Sequence, residues 1–144
     1  MMRLLLNILS YLSELFFPAS CAICGKYLNE EIYICGNCLE DLPLNRNESK
    51  SFLSVFDYGR NIRLLIHELK YNGRPEIGII LGREAGKRLK GFLDPDVSVI
   101  VPVPLHKKRL AKRGYNQAEM IGRGISMYLN IPIRTDILKR LRNN

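Results

Sequence analysis

Tryptophan is absent from this sequence, and histidine occurs only at positions 67 and 106. Neither histidine has the pattern of a catalytic nucleophile beside it, and the chain contains no GxSxG, P-loop or HExxH motif. The local signatures of a serine hydrolase, a P-loop nucleotidase and a zinc protease are therefore missing. We interpret His67 as a surface or packing residue and His106, which adjoins a basic segment, as a candidate phosphate contact.

A hydrophobic run of membrane-spanning length is also missing. The apolar N-terminal segment is interrupted by Asn7 and Glu14, and it is too short and too polar to cross a bilayer. We expect no stable membrane insertion and a cytoplasmic protein. A signal peptide ending before Cys21 is the alternative, but Pro18 stands where such peptides usually have an aliphatic residue. The helical spacing of the apolar residues favours an amphipathic helix that packs on the next module.

Length and charge together predict two parts. At 144 residues the chain has room for one ordinary domain, or for a small module and one domain. Residues 1–48 carry 3 Lys and Arg against 6 Asp and Glu, whereas residues 49–144 carry 19 against 8. We predict a first domain over residues 1–48, with the N-terminal helix and a zinc ribbon, and a basic second domain over 49–144. Because aromatic anchors are sparse, its charge favours nucleic acid over membrane, and a solvated basic surface is the alternative.

The four cysteines form the most specific local pattern, Cys-x2-Cys-x10-Cys-x2-Cys, which uses every cysteine of the chain. Two such turns supply four thiolates in a tetrahedron, the arrangement that Zn²⁺ selects in structural sites. We predict a structural zinc site with four ligands: Cys21, Cys24, Cys35 and Cys38. Two disulfides, an iron–sulfur cluster and a redox CxxC are the alternatives. Disulfides need an oxidising compartment, and a redox CxxC needs no second copy at this spacing.

Strand and helix signals alternate after residue 50, which predicts an α/β domain with parallel strands. The predicted strands cover residues 30–34, 52–58 and 97–103, and residues 42–50 are predicted as a linker. Helices are predicted from an Asn61 cap to residue 69, over residues 75–90 and over residues 117–129. In the second of these, glycine recurs at positions 78, 82 and 86, which predicts close backbone packing on one side unless these glycines are merely tolerated at the surface.

The strand at residues 97–103 leads into a strongly basic segment. Five of the seven residues from Lys107 to Arg113 are cationic, and we predict that they form a loop. Asn116, with Glu119 three residues later, resembles a capping box that opens the next helix. A strand, a basic loop and a helix N-terminus together can hold phosphate at the carboxyl edge of a sheet.

Seven residues are therefore predicted to bind phosphate or nucleic acid: Lys107, Lys108, Arg109, Lys112, Arg113, Tyr115 and Asn116. The Tyr115 ring would stack on a base or, equally, pack in the interior. A solvated loop without any role is the alternative for the cationic run.

Three motifs together resemble those of the ComF family, competence-associated proteins that are similar to phosphoribosyltransferases. They are the double CxxC, the sequence HELKYNGR at residues 67–74, and VPVPLH with KKRLAKRGYNQAE at residues 101–119. The resemblance covers nearly the whole chain. It implies a zinc ribbon followed by a type I phosphoribosyltransferase-like core, in which residues 107–113 face the pyrophosphate of phosphoribosyl diphosphate. It also implies two partners, single-stranded DNA and a competence helicase or translocase.

One element of that core is missing from the sequence. The family's core is recognised by two adjacent acidic residues followed by Thr-Thr-Gly, and Asp94-Pro95-Asp96 does not match this pattern. We therefore expect a truncated core with an incomplete parallel sheet and no phosphoribosyltransferase activity from these residues. Phosphoribosyl diphosphate with Mg²⁺ would be a ligand of a full-length protein. The alternatives are a phosphoribosyltransferase of nucleotide metabolism and a zinc-ribbon scaffold without a ligand.

Overall fold

The computed structural model describes residues 20–28, 33–45, 53–94 and 96–142. The predicted N-terminal helix and most of the predicted strand at 30–34 lie outside these residues. The chain divides into two compact units, with the division between Asp41 and Leu42. The boundary after residue 48 stays a prediction, because residues 46–52 are also outside the described part.

In its described residues, 20–28 and 33–41, the first unit contains turns and one short helix. An antiparallel bridge joins Ser20 to Tyr27, and within it the Cys21 amide donates to the Lys26 carbonyl at 2.8 Å. The turn between them closes at Gly25, whose φ of +75° lies in the left-handed region that glycine adopts without strain. Helix α1, Gly36–Glu40, begins directly after Cys35. Each CxxC pair therefore belongs to a tight local turn.

The second unit opens with a pairing that the sequence reading missed. Leu44 and Phe56 form an antiparallel bridge, and the Asn45 amide donates to the Val55 carbonyl at 3.1 Å. The prediction of a linker over residues 42–50 was therefore wrong for residues 43–45. The polar residues after them obscured the short apolar segment that pairs.

Helix α2 spans Arg60–Tyr71 and follows the predicted apolar pattern. Ile62, Leu65 and Leu69 are buried along one face. The predicted cap at Asn61 was wrong, because the helix begins one residue earlier and Gly59 is its N-cap, without a side-chain hydrogen bond. The helix ends at Tyr71 with Asn72 as its C-cap, and Gly73 has a φ of +65° in the following turn.

The described residues of the second unit contain three further helices: α3 (Pro75–Leu89), α4 (Lys107–Arg113) and α5 (Gln117–Leu129). The first and last confirm the predicted helices, and Pro75 occupies the first turn of α3, where its missing N–H costs nothing. The predicted basic loop was wrong, because residues 107–113 are helical. Lys, Arg, Leu and Ala all favour helix, and this propensity outweighs the weak repulsion between like charges one turn apart.

The glycines of α3 face α5 at backbone contact distance. A Cβ at Gly78 would lie 2.6 Å from the Met120 Cβ, and one at Gly82 would lie 2.9 Å from the Gly124 Cα. Gly86 meets the Tyr128 side chain in the same way, at 2.9 Å. The two helices approach so closely because α3 has only glycines along this contact and α5 has Gly124 opposite Gly82. The close packing predicted from the glycine spacing is thus confirmed.

β-Structure is sparse in the described residues. Ile100 and Ile133 form a parallel bridge. The Ile100 amide donates to the Pro132 carbonyl, and the Arg134 amide donates to the Ile100 carbonyl, both at 2.9 Å. The pairing is parallel, as predicted, but the described residues contain isolated bridges only. The parallel sheet is therefore not confirmed. In the same part of the chain, no helix is long and apolar enough to cross a membrane.

Replacing Gly82 with alanine tests the helix contact. The added Cβ would overlap the α5 backbone, and this clash outweighs the gain of up to about 1 kcal/mol in helix propensity. We expect a net loss of about 1–2 kcal/mol in the free energy of unfolding. Urea denaturation of the metal-loaded protein measures it. Gly91→Ala is the matched control, because a Cβ there meets nothing within 4 Å. Equal stability of the two variants would contradict the close contact.

Candidate metal centre and basic cleft

The four cysteine sulfurs of the first unit converge. All four Sγ atoms lie within 4.8 Å of one another, and those of Cys24 and Cys35 are 3.8 Å apart. The sequence-predicted ligands are thus brought together, from the turn at residues 21–24 and from the start of α1. Cys21 is buried, whereas Cys24 is exposed. The cluster is therefore anchored on one side and open to solvent on the other.

Backbone amides around the cluster favour thiolate. The Cys35 amide donates to the Cys21 sulfur at 3.4 Å. Burial raises the pKa of Cys21, but amide donors at Cys24, Cys35 and Ile23 outweigh it and lower the pKa to about 6. For Cys38, burial and the neighbouring cysteines raise the pKa instead. The Cys21 thiolate is thus stabilised by the fold, whereas at Cys38 the surroundings favour the thiol.

These features fit a tetrahedral metal ion. Four thiolates at the zinc–sulfur distance of about 2.3 Å would stand about 3.8 Å apart, which is the separation of the Cys24 and Cys35 sulfurs. Four cysteines that bind one zinc ion leave no position for substrate, so such a site is structural. The ion would link the residue 21–24 turn to α1 and would supply much of the folding free energy of this small unit.

The basic helix α4 is held at both ends. His106 is its N-cap, and its Nδ1 accepts a hydrogen bond from the Lys108 amide at 3.3 Å. At the other end Gly114 adopts a φ of 83°, and its amide donates to the Leu110 carbonyl at 2.8 Å. His106 therefore starts the helix, and the phosphate contact suggested for it stays a prediction.

A cleft of about 490 Å³ lies between the end of α2 and the helix α4. It is lined by Lys70, Tyr71, Gly73, Arg109, Lys112 and Arg113. Four of these six residues are cationic. Within the described part of the chain, no carboxylate pairs with Lys70 or Lys112. The cleft is therefore a concentrated positive site made by two segments that lie about forty residues apart in sequence.

The cleft contains only some of the residues predicted from the sequence. Arg109, Lys112 and Arg113 line it, whereas Lys107 and Lys108 are exposed on the first turn of α4 and do not. Lys70 and Tyr71 were missed as site residues, although both belong to the HELKYNGR motif. Charge density pointed to the longer cationic run, and a lone lysine at a helix end gave no comparable signal. Binding by any of these residues stays a prediction.

Tyr115 and Asn116 connect the cleft to the rest of the unit. The Tyr115 hydroxyl donates to the Leu69 carbonyl at 2.7 Å, and burial raises the pKa of this phenol. The Asn116 side chain caps α5 by accepting from the Ala118 amide at 3.1 Å, and it donates to the Val103 carbonyl at 2.9 Å. Both side chains thus hold backbone in place, and their predicted contact with a ligand has no support from this geometry.

The capping box at the start of α5 was only half right. Asn116 accepts from the second helical residue, and Glu119 does not reach back to it. Glu119 instead forms an ion pair with Arg123, one turn later, at 2.7 Å. The nearby Arg123 guanidinium competes successfully for the carboxylate.

The turn at the mouth of the cleft is fixed by Glu68. This carboxylate pairs with Arg74 at 3.1 Å and accepts from the Asn72 side chain at 2.8 Å. The pair with Arg74 spans the turn at Gly73, and the contact with Asn72 holds the residue before it. Glu68, the acidic residue closest in sequence to Lys70, therefore contacts residues that do not line the cleft.

Comparisons with known proteins identify the first unit. A family model described as a double zinc ribbon domain matches residues 12–49, which include all four cysteines. This match and the cysteine geometry confirm the predicted ribbon and its metal-binding character. No solved structure matches the chain.

Curated relatives match most of the chain. DNA utilization protein YhgH of Escherichia coli O157:H7 is 30% identical over 128 residues, which cover 85% of this chain and 54% of that protein. Competence protein F of Haemophilus influenzae is 30% identical over 129 residues, with the same coverage of 85% and 54%. The YhgH protein of Salmonella typhimurium is 28% identical over 138 residues, which cover 85% and 60%. The chain spans about half the length of these relatives, and the predicted resemblance to competence proteins is confirmed.

Metal removal should unfold the ribbon alone. Because the ion links the two CxxC turns, we expect a chelator to abolish amide-exchange protection at residues 20–28 and 33–41. Protection of α3 and α5 should be retained, since their contact uses no metal. Hydrogen exchange read by mass spectrometry measures both, with Cys35→Ala as a variant that should match the chelated protein. Unchanged protection of the ribbon after chelation would contradict the metal site.

Tyr115→Phe should cost about 1 kcal/mol in the free energy of unfolding, because it leaves the Leu69 carbonyl without its partner. Urea denaturation measures the change. Tyr58→Phe is the control, because Tyr58 is 67% exposed, and this variant should stay within about 0.5 kcal/mol of wild type. If the two substitutions had equal effects, the Tyr115 hydroxyl would have no stabilising role.

Proposed function

We propose that this chain, a homologue of the competence and DNA utilization proteins described above, serves in DNA uptake or use by binding the phosphate backbone of single-stranded DNA. One observation carries the proposal: Lys70, Arg109, Lys112 and Arg113 converge on one open cleft. The printed names of the relatives supply the context of competence and DNA utilization.

Electrostatics supports a polyanion as the ligand. Residues 49–144 carry 19 Lys and Arg against 8 Asp and Glu, so phosphates are attracted to this part of the chain from a distance. Within the cleft the four cations come from two elements, α2 and α4, and can therefore contact a strand from both sides. Their side chains neutralise phosphates irrespective of base sequence, which suits the handling of DNA of any origin.

The ribbon has a structural part in this proposal. A zinc ion bound by Cys21, Cys24, Cys35 and Cys38 would supply rigidity to the first module and no chemistry. We place the domains at residues 1–48 and 49–144 and the protein in the cytoplasm, where imported strands arrive. A helicase or translocase of the competence machinery is the proposed protein partner.

Phosphoribosyl diphosphate with Mg²⁺ is a second candidate ligand. A cleft of about 490 Å³ has the size of a small-molecule site, and its α4 cations follow the VPVP segment as the pyrophosphate-facing residues do in the family that the sequence resembles. These residues include no acidic pair with Thr-Thr-Gly, so we propose binding without transfer for this candidate. Competition by phosphoribosyl diphosphate against labelled DNA distinguishes the two ligands.

Two double substitutions of equal charge test the cleft. Lys70→Ala/Lys112→Ala should weaken binding of a single-stranded oligonucleotide about ten-fold and reduce the slope of log affinity against log salt by about 1.4. Fluorescence anisotropy between 50 and 200 mM salt measures both quantities.

The matched control is Lys107→Ala/Lys108→Ala, which removes the same charge from the same region outside the cleft lining. It should have a much smaller effect, because it acts only through the long-range field. Equal weakening by the two variants would show that DNA follows diffuse charge and does not occupy the cleft.

A further inference from the structure

We propose that Tyr71 is a base-stacking residue, so that the cleft selects single-stranded nucleic acid that carries bases over a bare phosphate chain. This inference rests on the proposed function, since it assigns a second recognition element to the same cleft. It concerns a residue that lies outside the cationic run.

The first observation is the exposure of the Tyr71 ring. Tyr71 is the last residue of α2, its side chain is 67% exposed, and it lines the cleft. Leu69, two residues earlier, is fully buried and is the last residue of α2 in the hydrophobic core. The Tyr71 ring therefore makes little contribution to the core, and most of its side chain is open to solvent.

The second observation is the set of groups that hold the ring. The Arg113 guanidinium carbon lies 5.5 Å from the ring centroid, within the range of a cation–π contact. The His67 ring lies 4.9 Å away, centroid to centroid, at a tilt of 48°. These neighbours restrict the ring while most of its surface stays open to solvent. A ring held in this way loses little conformational entropy when a base stacks on it.

The third observation is the charge around the ring. Lys70, Arg109, Lys112 and Arg113 line the same cleft, so a strand whose phosphates contact these cations would bring its bases to the level of Tyr71. Positive grooves interleaved with aromatic rings are how proteins bind single strands without sequence preference. The Arg113 guanidinium is planar as well as charged and can extend the stack.

The test compares two ligands of equal charge. We expect a thymidine oligonucleotide to bind the full chain about ten-fold more tightly than an abasic oligonucleotide of the same length, because each stacked base adds affinity that phosphates cannot supply. Tyr71→Ala should remove this preference, whereas Tyr71→Phe, which keeps the ring, should retain it. Lys70→Ala/Lys112→Ala should weaken both ligands alike and leave their ratio unchanged.

A spectroscopic arm is available because the chain has no tryptophan. In Tyr71→Trp the single indole should be quenched by the thymidine strand and not by the abasic strand, as only a base can stack on it. Equal affinity of the wild type for the two strands, or quenching by both, overturns the stacking role while the phosphate-binding proposal stands. Binding of neither strand would overturn both.

Discussion

The backbone contact between α3 and α5 determines where the other parts of the second unit can lie. Gly78, Gly82 and Gly86 allow α5 to approach until its backbone touches that of α3. The start of α5 is thereby fixed, and with it Asn116 and Tyr115, which bind the Val103 and Leu69 carbonyls. Those two hydrogen bonds bring the basic helix α4 next to the end of α2. The cleft therefore depends on a contact that contains no charge at all.

The two candidate sites differ in how much of each could be predicted from sequence. The zinc cysteines were predictable because metal binding needs fixed residue types at fixed local spacing, and Cys21, Cys24, Cys35 and Cys38 satisfy both requirements within eighteen residues. Helices α2, α3 and α5 were equally accessible, since their apolar or glycine periodicity is strong. A local pattern specifies a local structure, and these elements are local.

The remaining features depend on contacts that are distant in sequence. Nothing near Lys70 or Tyr71 indicates that α4 will face them, because the tyrosine hydroxyl that joins the two segments belongs to residue 115, forty-six positions after the carbonyl that it contacts. The pairing of Ile100 with Ile133 is hidden for the same reason. The helical state of residues 107–113 was missed differently: their composition favours helix, but their charge was taken as the sign of a loop.

The hydrogen bond from Tyr115 to Leu69 also has a consequence for the order of assembly. The Leu69 carbonyl is one of the last four of α2, which have no N–H donor within the helix itself. Its donor, the Tyr115 hydroxyl, reaches it only when α5 has docked. The final turn of α2, with Lys70 and Tyr71, is therefore completed by a contact of long sequence separation, which carries a loop-closure cost that local helix formation does not. A partly folded chain would have its helices and still lack an assembled cleft, so binding competence and completed folding should be acquired together.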